Sequence, residues 1–548
     1  MADNTQEQSL SQPRVTLPQG TFIGTLQQGQ YPNTVESFRG VPYALPPTGD
    51  RRFRPPVPVG KSANTYDATR FGPRAPARQF VVVGPDLEQS EDCLTANIFR
   101  PALKDQSGLL PVALYMHGGA FNRGNAAMHD TEAMVGWSDT PFIGVSFGYR
   151  IGALGFLPSK MSADEDLLNL GLRDQICLTE WVQKNIHLFG GDRNNVTLFG
   201  LSAGAHSIGH HLLNYEEGIK PLFHRVVMES GAPTSRAVRY PDAPIHEQRF
   251  TDFLEEVKCP EGLSSSETFS FLRSLPTLTI SEAQATVFAK YNPSLCWAFQ
   301  PVIDGKIIRK RPIDAWRDGS WHKVPILTGF TTNEGSLYVN KAMFTSEEFT
   351  DFWRNLLPRL TEQDLETINS LYPDPTKTTN MRYYEDRLDQ GVGKMYKRIE
   401  AAYAHYAYTA PVRQTAHFSS GVVPVYLYHW ALERDAVNGA RHGDNMFYEM
   451  RHVEYRGKSA SLEELSGINH AYITSFICTG SPDGVPGRYG SRPSWPQYDN
   501  ANPKVMVFGQ ANKELVGGQV GPPAELLDDE WAKEESDFWW SKVEISQQ

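Results

Sequence analysis

Short apolar runs alternate with longer amphipathic stretches along most of the chain. Leu110–Tyr115 and Phe142–Phe147 are almost continuously apolar, the pattern of strands covered on both faces. Val196–Phe199, Val226–Met228, Pro325–Thr328 and Val425–Tyr428 read the same way. Between them, Asp174–Ile186 has helical spacing, with Ile176, Leu178, Trp181, Val182 and Ile186 on roughly one face. Ala203–Leu213 predicts a helix directly after a strand. Strands alternating with helices predict an α/β fold: a large, mostly parallel sheet flanked by helices. Residues 346–417 are helical in pattern and rich in Tyr, Phe and Leu, which predicts a helical insertion above the sheet. The Pro- and Gly-rich stretches Pro42–Pro58 and Gly480–Pro496 predict surface loops. The polar residues 1–20 predict a poorly ordered segment. No repeat or linker divides the remainder, so residues 21–548 read as a single unit.

Composition narrows the class. Apolar residues make up 40% of the 548, enough for a large core, and charged residues only 21%, which excludes a disordered chain. A net charge of −11 gives no support to a nucleic-acid partner, which needs a basic footprint. No run of eighteen apolar residues predicts a membrane span, and the ends carry no leader or sorting address. The five cysteines, Cys93, Cys177, Cys259, Cys296 and Cys478, are widely spread and form no CxxC pair. These features predict a cytoplasmic protein.

Two motifs carry chemistry. Gly200-Leu201-Ser202-Ala203-Gly204 lies between a strand and a helix, the context in which G-x-S-x-G forms a nucleophile elbow. A sharp turn there strains the central residue, needs small neighbours and lifts Ser202 Oγ above the sheet. The helix behind it points N–H groups toward any anion formed nearby. Alone, G-x-S-x-G is a weak signal. Met116-His117-Gly118-Gly119-Ala120-Phe121 follows the strand at Leu110, where a loop of backbone donors for an oxyanion belongs. The two motifs in this order, on these elements, are far more specific than either one.

At this point the chain resembles the type B carboxylesterases, the cholinesterase-like and fungal lipase-like branch of the α/β-hydrolases. Phe38-Arg39-Gly40-Val41-Pro42-Tyr43-Ala44 matches the family's opening and Glu91-Asp92-Cys93-Leu94 its second signature. Tyr149-Arg150-Ile151-Gly152, Asn169-Leu170-Gly171-Leu172-Arg173-Asp174-Gln175 and Phe189-Gly190-Gly191-Asp192 match further blocks. The resemblance covers most of the chain and implies an α/β-hydrolase fold. It implies Ser202 as nucleophile, Glu334 of Asn333-Glu334-Gly335-Ser336 as acid, and His442 of Arg441-His442-Gly443-Asp444 as base. Asp444 is a second possible acid. The same resemblance implies oxyanion donors at Gly119, Ala120 and Ala203, and structural ion pairs Arg52–Glu91 and Arg150–Asp174. From motif offsets, Leu201, Leu295, Trp297, Phe299, Leu337 and Tyr338 are candidate substrate-binding residues; the alternative for each is a place in the core. His206, His210, His211 and His470 are given no role.

Three departures refine the expectation. Leu201 stands where many members have Glu. No Trp occurs between Arg70 and Cys93, and the position an ungapped count reaches is Val83. Both lower the expectation of a cationic substrate, since the cation–π partner is missing. The cysteine partners of Cys93 and Cys259 in secreted members are absent, so both of those bridges should be missing. The reading that results is a serine carboxylic-ester hydrolase acting through an acyl-enzyme on an uncharged small or medium ester. No cofactor or metal is implied. An acyltransferase or cyclase using the same triad remains open, as does a non-catalytic scaffold on the same fold.

Overall fold

The computed structural model describes residues 12–78, 84–102, 108–378, 391–487 and 489–546; Val83 lies outside them. The strands are, in chain order, β1 (Arg14–Leu17), β2 (Gly20–Ile23), β3 (Thr25–Gln27), β4 (Val35–Pro42), β5 (Thr65–Asp67), β6 (Thr95–Pro101), β7 (Leu110–Met116), β8 (Ile143–Phe147), β9 (Gly191–Leu201), β10 (Arg225–Glu229), β11 (Ile326–Thr331), β12 (Val425–Trp430), β13 (Lys504–Phe508) and β14 (Ala524–Asp528). Eleven form one sheet in the order β14-β13-β12-β11-β10-β9-β7-β8-β6-β4-β3, while β1, β2 and β5 form a small separate one. From β13 through β8 every neighbouring pair is parallel. The pairs at either flank are antiparallel.

The central strands are buried on both faces, as parallel strands covered by helices must be. Side chains alternate between two cores. On β7, Val112, Leu114 and Met116 pack into one, and Ala113 and Tyr115 into the other. On β9, Val196 and Leu198 face the first, Phe199 and Leu201 the second. The helix expected at Asp174–Ile186 runs over Leu170–Asn185, and that at Ala203–Leu213 has those bounds.

One expectation fails at the N-terminus. Arg14–Leu17 is not a loose segment but a strand, paired with β2 in register Arg14↔Ile23. Its alternation hides Val15 and Leu17 and exposes Arg14 and Thr16. That period of two, only four residues long, was masked by the polar residues before it. Residues 1–11 lie outside the described chain.

The helical insertion comprises Ser346–Leu356, Glu362–Leu371, Tyr396–Ala404 and Ala410–Ser419, with a π turn at His405–Thr409. Residues 379–390 fall outside the description. Capping boxes, Thr345 with Glu348 and Thr361 with Asp364, start the first two helices. The insertion has its own core, including Phe349, Trp353, Ile368 and Tyr403, and that core also takes in Ala120, Leu295 and Trp297. The roof therefore packs directly on the loop after β7. Both expected ion pairs form: Arg52 meets Glu91 through two hydrogen bonds of 2.8 and 2.6 Å, and Arg150 meets Asp174 the same way. Each is fully desolvated and geometrically matched, so removing one partner would strand a buried charge.

Candidate active site

The four loops that matter leave the C-terminal ends of β7, β9, β11 and β12, which lie close together in the sheet. This is where open α/β sheets bind ligands. β9 ends at Leu201 and the next helix starts at Ala203, so Ser202 alone makes the turn, at φ 60° and ψ −122°. That conformation is sparsely populated for an L-residue and persists only when its surroundings enforce it. They do so by close approach. A Cβ on Gly204 would lie 2.0 Å from the Met116 carbonyl oxygen, and one on Gly200 2.7 Å from the same atom. The Ser202 N–H donates to the Glu229 carbonyl at 2.9 Å, and the Ser202 carbonyl accepts from His206 N–H at 2.9 Å.

The loop after β7 is equally tight. Gly119 has φ 113°, and a Cβ there would meet the Arg123 carbonyl oxygen at 2.1 Å. The N–H groups of Asn122 and Arg123 both donate to the Gly119 carbonyl at 3.0 Å. This turns the loop back on itself and leaves Ala120 and Phe121 left-handed, at φ 55° and 62°. Ala203 opens its helix, where first-turn N–H groups have no intrahelical acceptor.

Glu334 sits in a short helical turn after β11 and is wholly buried. Its Oε1 accepts the Thr331 N–H at 2.8 Å, and its Oε2 accepts a hydrogen bond from His442 Nδ1. The two loops are stapled beside it: Asn333 N–H donates to the Ala440 carbonyl, and Asn333 Oδ1 accepts from Ala440 N–H. Asp444, the other possible acid, is committed elsewhere, to Arg434 at 2.9 Å and the Arg441 N–H at 2.8 Å. With Nδ1–H held by the carboxylate, the neutral imidazole presents Nε2 as an acceptor. That atom is buried and has no hydrogen-bond partner among the described residues.

Ser202 and His442 line one cavity of about 740 Å³, together with Gly119, Ala120, Leu201, Leu337 and Tyr338. An imidazole oriented by a carboxylate, beside a strained serine and a loop of backbone donors, can take a hydroxyl proton and return it to a leaving oxygen. Tyr338 stands 5.2 Å from the His442 ring, centroid to centroid. Burial raises its hydroxyl above the ordinary phenol range, and that hydroxyl reaches Tyr408 and Ser202.

Leu295 and Trp297 line a second cavity instead. Phe299 lines neither. With φ 58° its side chain turns into the main core and packs against Phe253 at 6.0 Å. Its candidate substrate role is therefore corrected to a core position. Sequence reasoning missed Tyr408, 4.9 Å from His442. It lies in the π turn that precedes Pro411, whose missing N–H and bulky ring disturb the helix ladder. Arg123, in the first cavity, was also missed; burial lowers it to about 10.

Comparison with known proteins gives the family. The sequence model of the carboxylesterase family matches residues 11–539. Secreted lipase 4 of Gibberella zeae is 34% identical over 96% of this chain and 91% of its own length. Secreted triacylglycerol lipase LIP1 of the same organism is 28% identical over 93% and 88%. The crystal structure of EstA from Aspergillus niger superposes with a TM-score of 0.81 at 26% identity, over 98% of this chain and 99% of that one. The secreted lipases overturn the cytoplasmic expectation. All five cysteines are unbridged. Missing partners show which bridges a chain lacks; they do not report its compartment, since buried ion pairs can hold the same loops. Among the described residues no helix is long and apolar enough to cross a membrane. By its sequence model, its relatives and its fold, this chain belongs to the carboxylesterase family and is a serine carboxylic-ester hydrolase.

Proposed function

We propose that Ser202, His442 and Glu334 are the catalytic triad, within one catalytic unit that includes the strand Arg14–Leu17. The observation that carries this is the Glu334–His442 hydrogen bond beside a strained Ser202 in a shared cavity. Ser202 Oγ adds to the ester carbonyl while His442 Nε2 takes its proton. Glu334 holds the imidazole tautomer and stabilises the imidazolium. The N–H groups of Gly119, Ala120 and Ala203 hold the oxyanion. Collapse expels the alkoxide, which takes the proton from His442, and water repeats the sequence on the acyl-enzyme. Leu201, Leu337 and Tyr338 line the chamber around the reacting ester, an apolar setting that suits an ester without a cationic group. The names of the secreted relatives support action outside the cell.

An ester panel on wild type and Ser202→Ala tests this. Turnover should fall by about 10⁴-fold or more in the variant, and a fluorophosphonate should label Ser202. Labelling of another residue, or wild-type turnover by Ser202→Ala, would refute the assignment.

A further inference from the structure

The second cavity, of about 540 Å³, has an unusual lining. Arg236, Arg239, Arg249 and His246 all face it, and among the described residues no carboxylate does. Arg249 is 4% exposed and His246 2%. One Arg249 Nη donates to the Cys296 carbonyl, but its Nε has no hydrogen-bond partner among the described residues. Neither ring nitrogen of His246 has one either. Asp252, the carboxylate that acts on Arg249, is already bound to Lys290 at 2.7 Å and to the Tyr291 hydroxyl at 2.6 Å. Arg236 lies 3.8 Å above the Trp297 ring and donates to the Tyr408 hydroxyl at 3.3 Å.

Burying guanidinium groups away from carboxylates is costly unless an anion completes the site. The cost is visible at two of the three: burial lowers Arg249 to about 10 and lowers Arg239 as well, whereas at Arg236 burial is outweighed by Tyr403, Tyr408 and Tyr338, which raise it. The cavity also adjoins the reaction chamber. Its wall residue Gln300 donates from Nε2 to the Ala120 carbonyl at 2.9 Å, and Trp297 stands 5.3 Å from Tyr338.

We propose that this arginine-lined cavity is a carboxylate-binding site. Guanidinium forks match a carboxylate's two oxygens, and a neutral imidazole adds an N–H donor. Two sources fit that chemistry. One is the distal carboxylate of the ester itself, which widens the substrate class from uncharged esters to half-esters of dicarboxylic acids; this version rests on the ester-hydrolase reading above. The other is a free carboxylate that binds beside the chamber.

Calorimetry with glutarate, against neutral glutaramide, tests the site itself. Glutarate should bind the wild type at low salt, and Arg239→Gln, at a half-exposed position, should weaken it by about tenfold or more. Arg249→Gln should do the same if it folds. Kinetics then separates the sources. If the distal carboxylate is the ligand, Arg239→Gln raises KM for 4-nitrophenyl hemiglutarate by about tenfold and leaves 4-nitrophenyl butyrate unchanged. If glutarate binding falls but the two esters respond alike, the ligand is a free carboxylate. No glutarate heat up to about 10 mM, together with an unchanged ester ratio, overturns the proposal. Failure to hydrolyse either ester would strike the hydrolase reading and the half-ester version with it, but not the carboxylate site, because glutarate binding is measured without turnover.

Discussion

The Ser202 N–H donates to the Glu229 carbonyl at 2.9 Å, so the strained elbow hangs from the last residue of β10. The side chain of that same residue is buried, close to Glu449, Asn445 and Tyr428. Burial pushes Glu229 up to about 7 and Glu449 well above the carboxylate range. The two titrate as a pair. His129, 3.3 Å from Glu449, is driven down to about 3 by burial, so it meets the pair as a neutral ring and not as an ion-pair partner.

A raised folded-state value means that the native chain keeps a proton the unfolded chain has released. The contribution of this pair to stability should therefore be greatest below the unfolded carboxylate value of ~4.3. It should fall as pH rises from there to about 7, where Glu229 ionises in the fold. Glu229→Gln should remove much of that fall, gaining roughly 1–3 kcal/mol near neutral to alkaline pH and little in acid. Urea unfolding across this window measures it. An unchanged pH slope in the variant would remove Glu229 from the account.

Glu334 and Asp444 are both buried acids near His442, yet only Glu334 bonds its ring. Glu334→Gln should lower kcat by about 10³–10⁴-fold with little change in KM, since the imidazolium loses its counter-charge. Asp444→Asn should cost stability through Arg434 and keep most of kcat. The opposite ranking in steady-state kinetics would exchange the two roles.

Ala120 is left-handed at φ 55° and lines the reaction chamber. A methyl on the proposed oxyanion loop would narrow the space beside the scissile carbon, so tert-butyl acetate should be turned over far more slowly than ethyl acetate. Ala120→Gly should raise the tert-butyl rate by about tenfold without loss of Tm, because glycine adopts this backbone freely. Comparable turnover of both acetates by the wild type would refute it.

Gly204 is fixed by contact and not by backbone sign. A methyl there meets a strand carbonyl at 2.0 Å, which no rotamer can relieve. Gly204→Ala should destabilise by about 3 kcal/mol or more and slow fluorophosphonate labelling. Gly305→Ala, where a Cβ meets nothing within 4 Å, controls for handling; at φ 71° it should cost only backbone strain of ~1 kcal/mol.

Much of this was legible in the chain. Apolar runs such as Leu110–Tyr115 reveal buried strands because every position is covered, and G-x-S-x-G declares its turn through the glycines the turn demands. Arg52–Glu91 was legible through the family resemblance alone. What stayed hidden depends on backbone twist or on contacts far apart in sequence. Phe299 sits two residues from Trp297 and so shares its strand-like parity, but a left-handed φ sends it to another core. Tyr408 reaches His442 only because a π turn shifts the helix register. The arginine cavity draws on residues from 235 to 406, which no local pattern could group.

The proposed reacting groups all hang from one edge of the sheet, where β7, β9, β11 and β12 end. The opposite edge, where Leu110, Arg225, Ile326 and Val425 begin their strands, carries none of them. The molecule thus divides labour between two poles. Loops at the first can be reshaped to change which ester is accepted, while the second can be hardened against heat with no effect on rate. An engineer seeking a tougher enzyme should work there first.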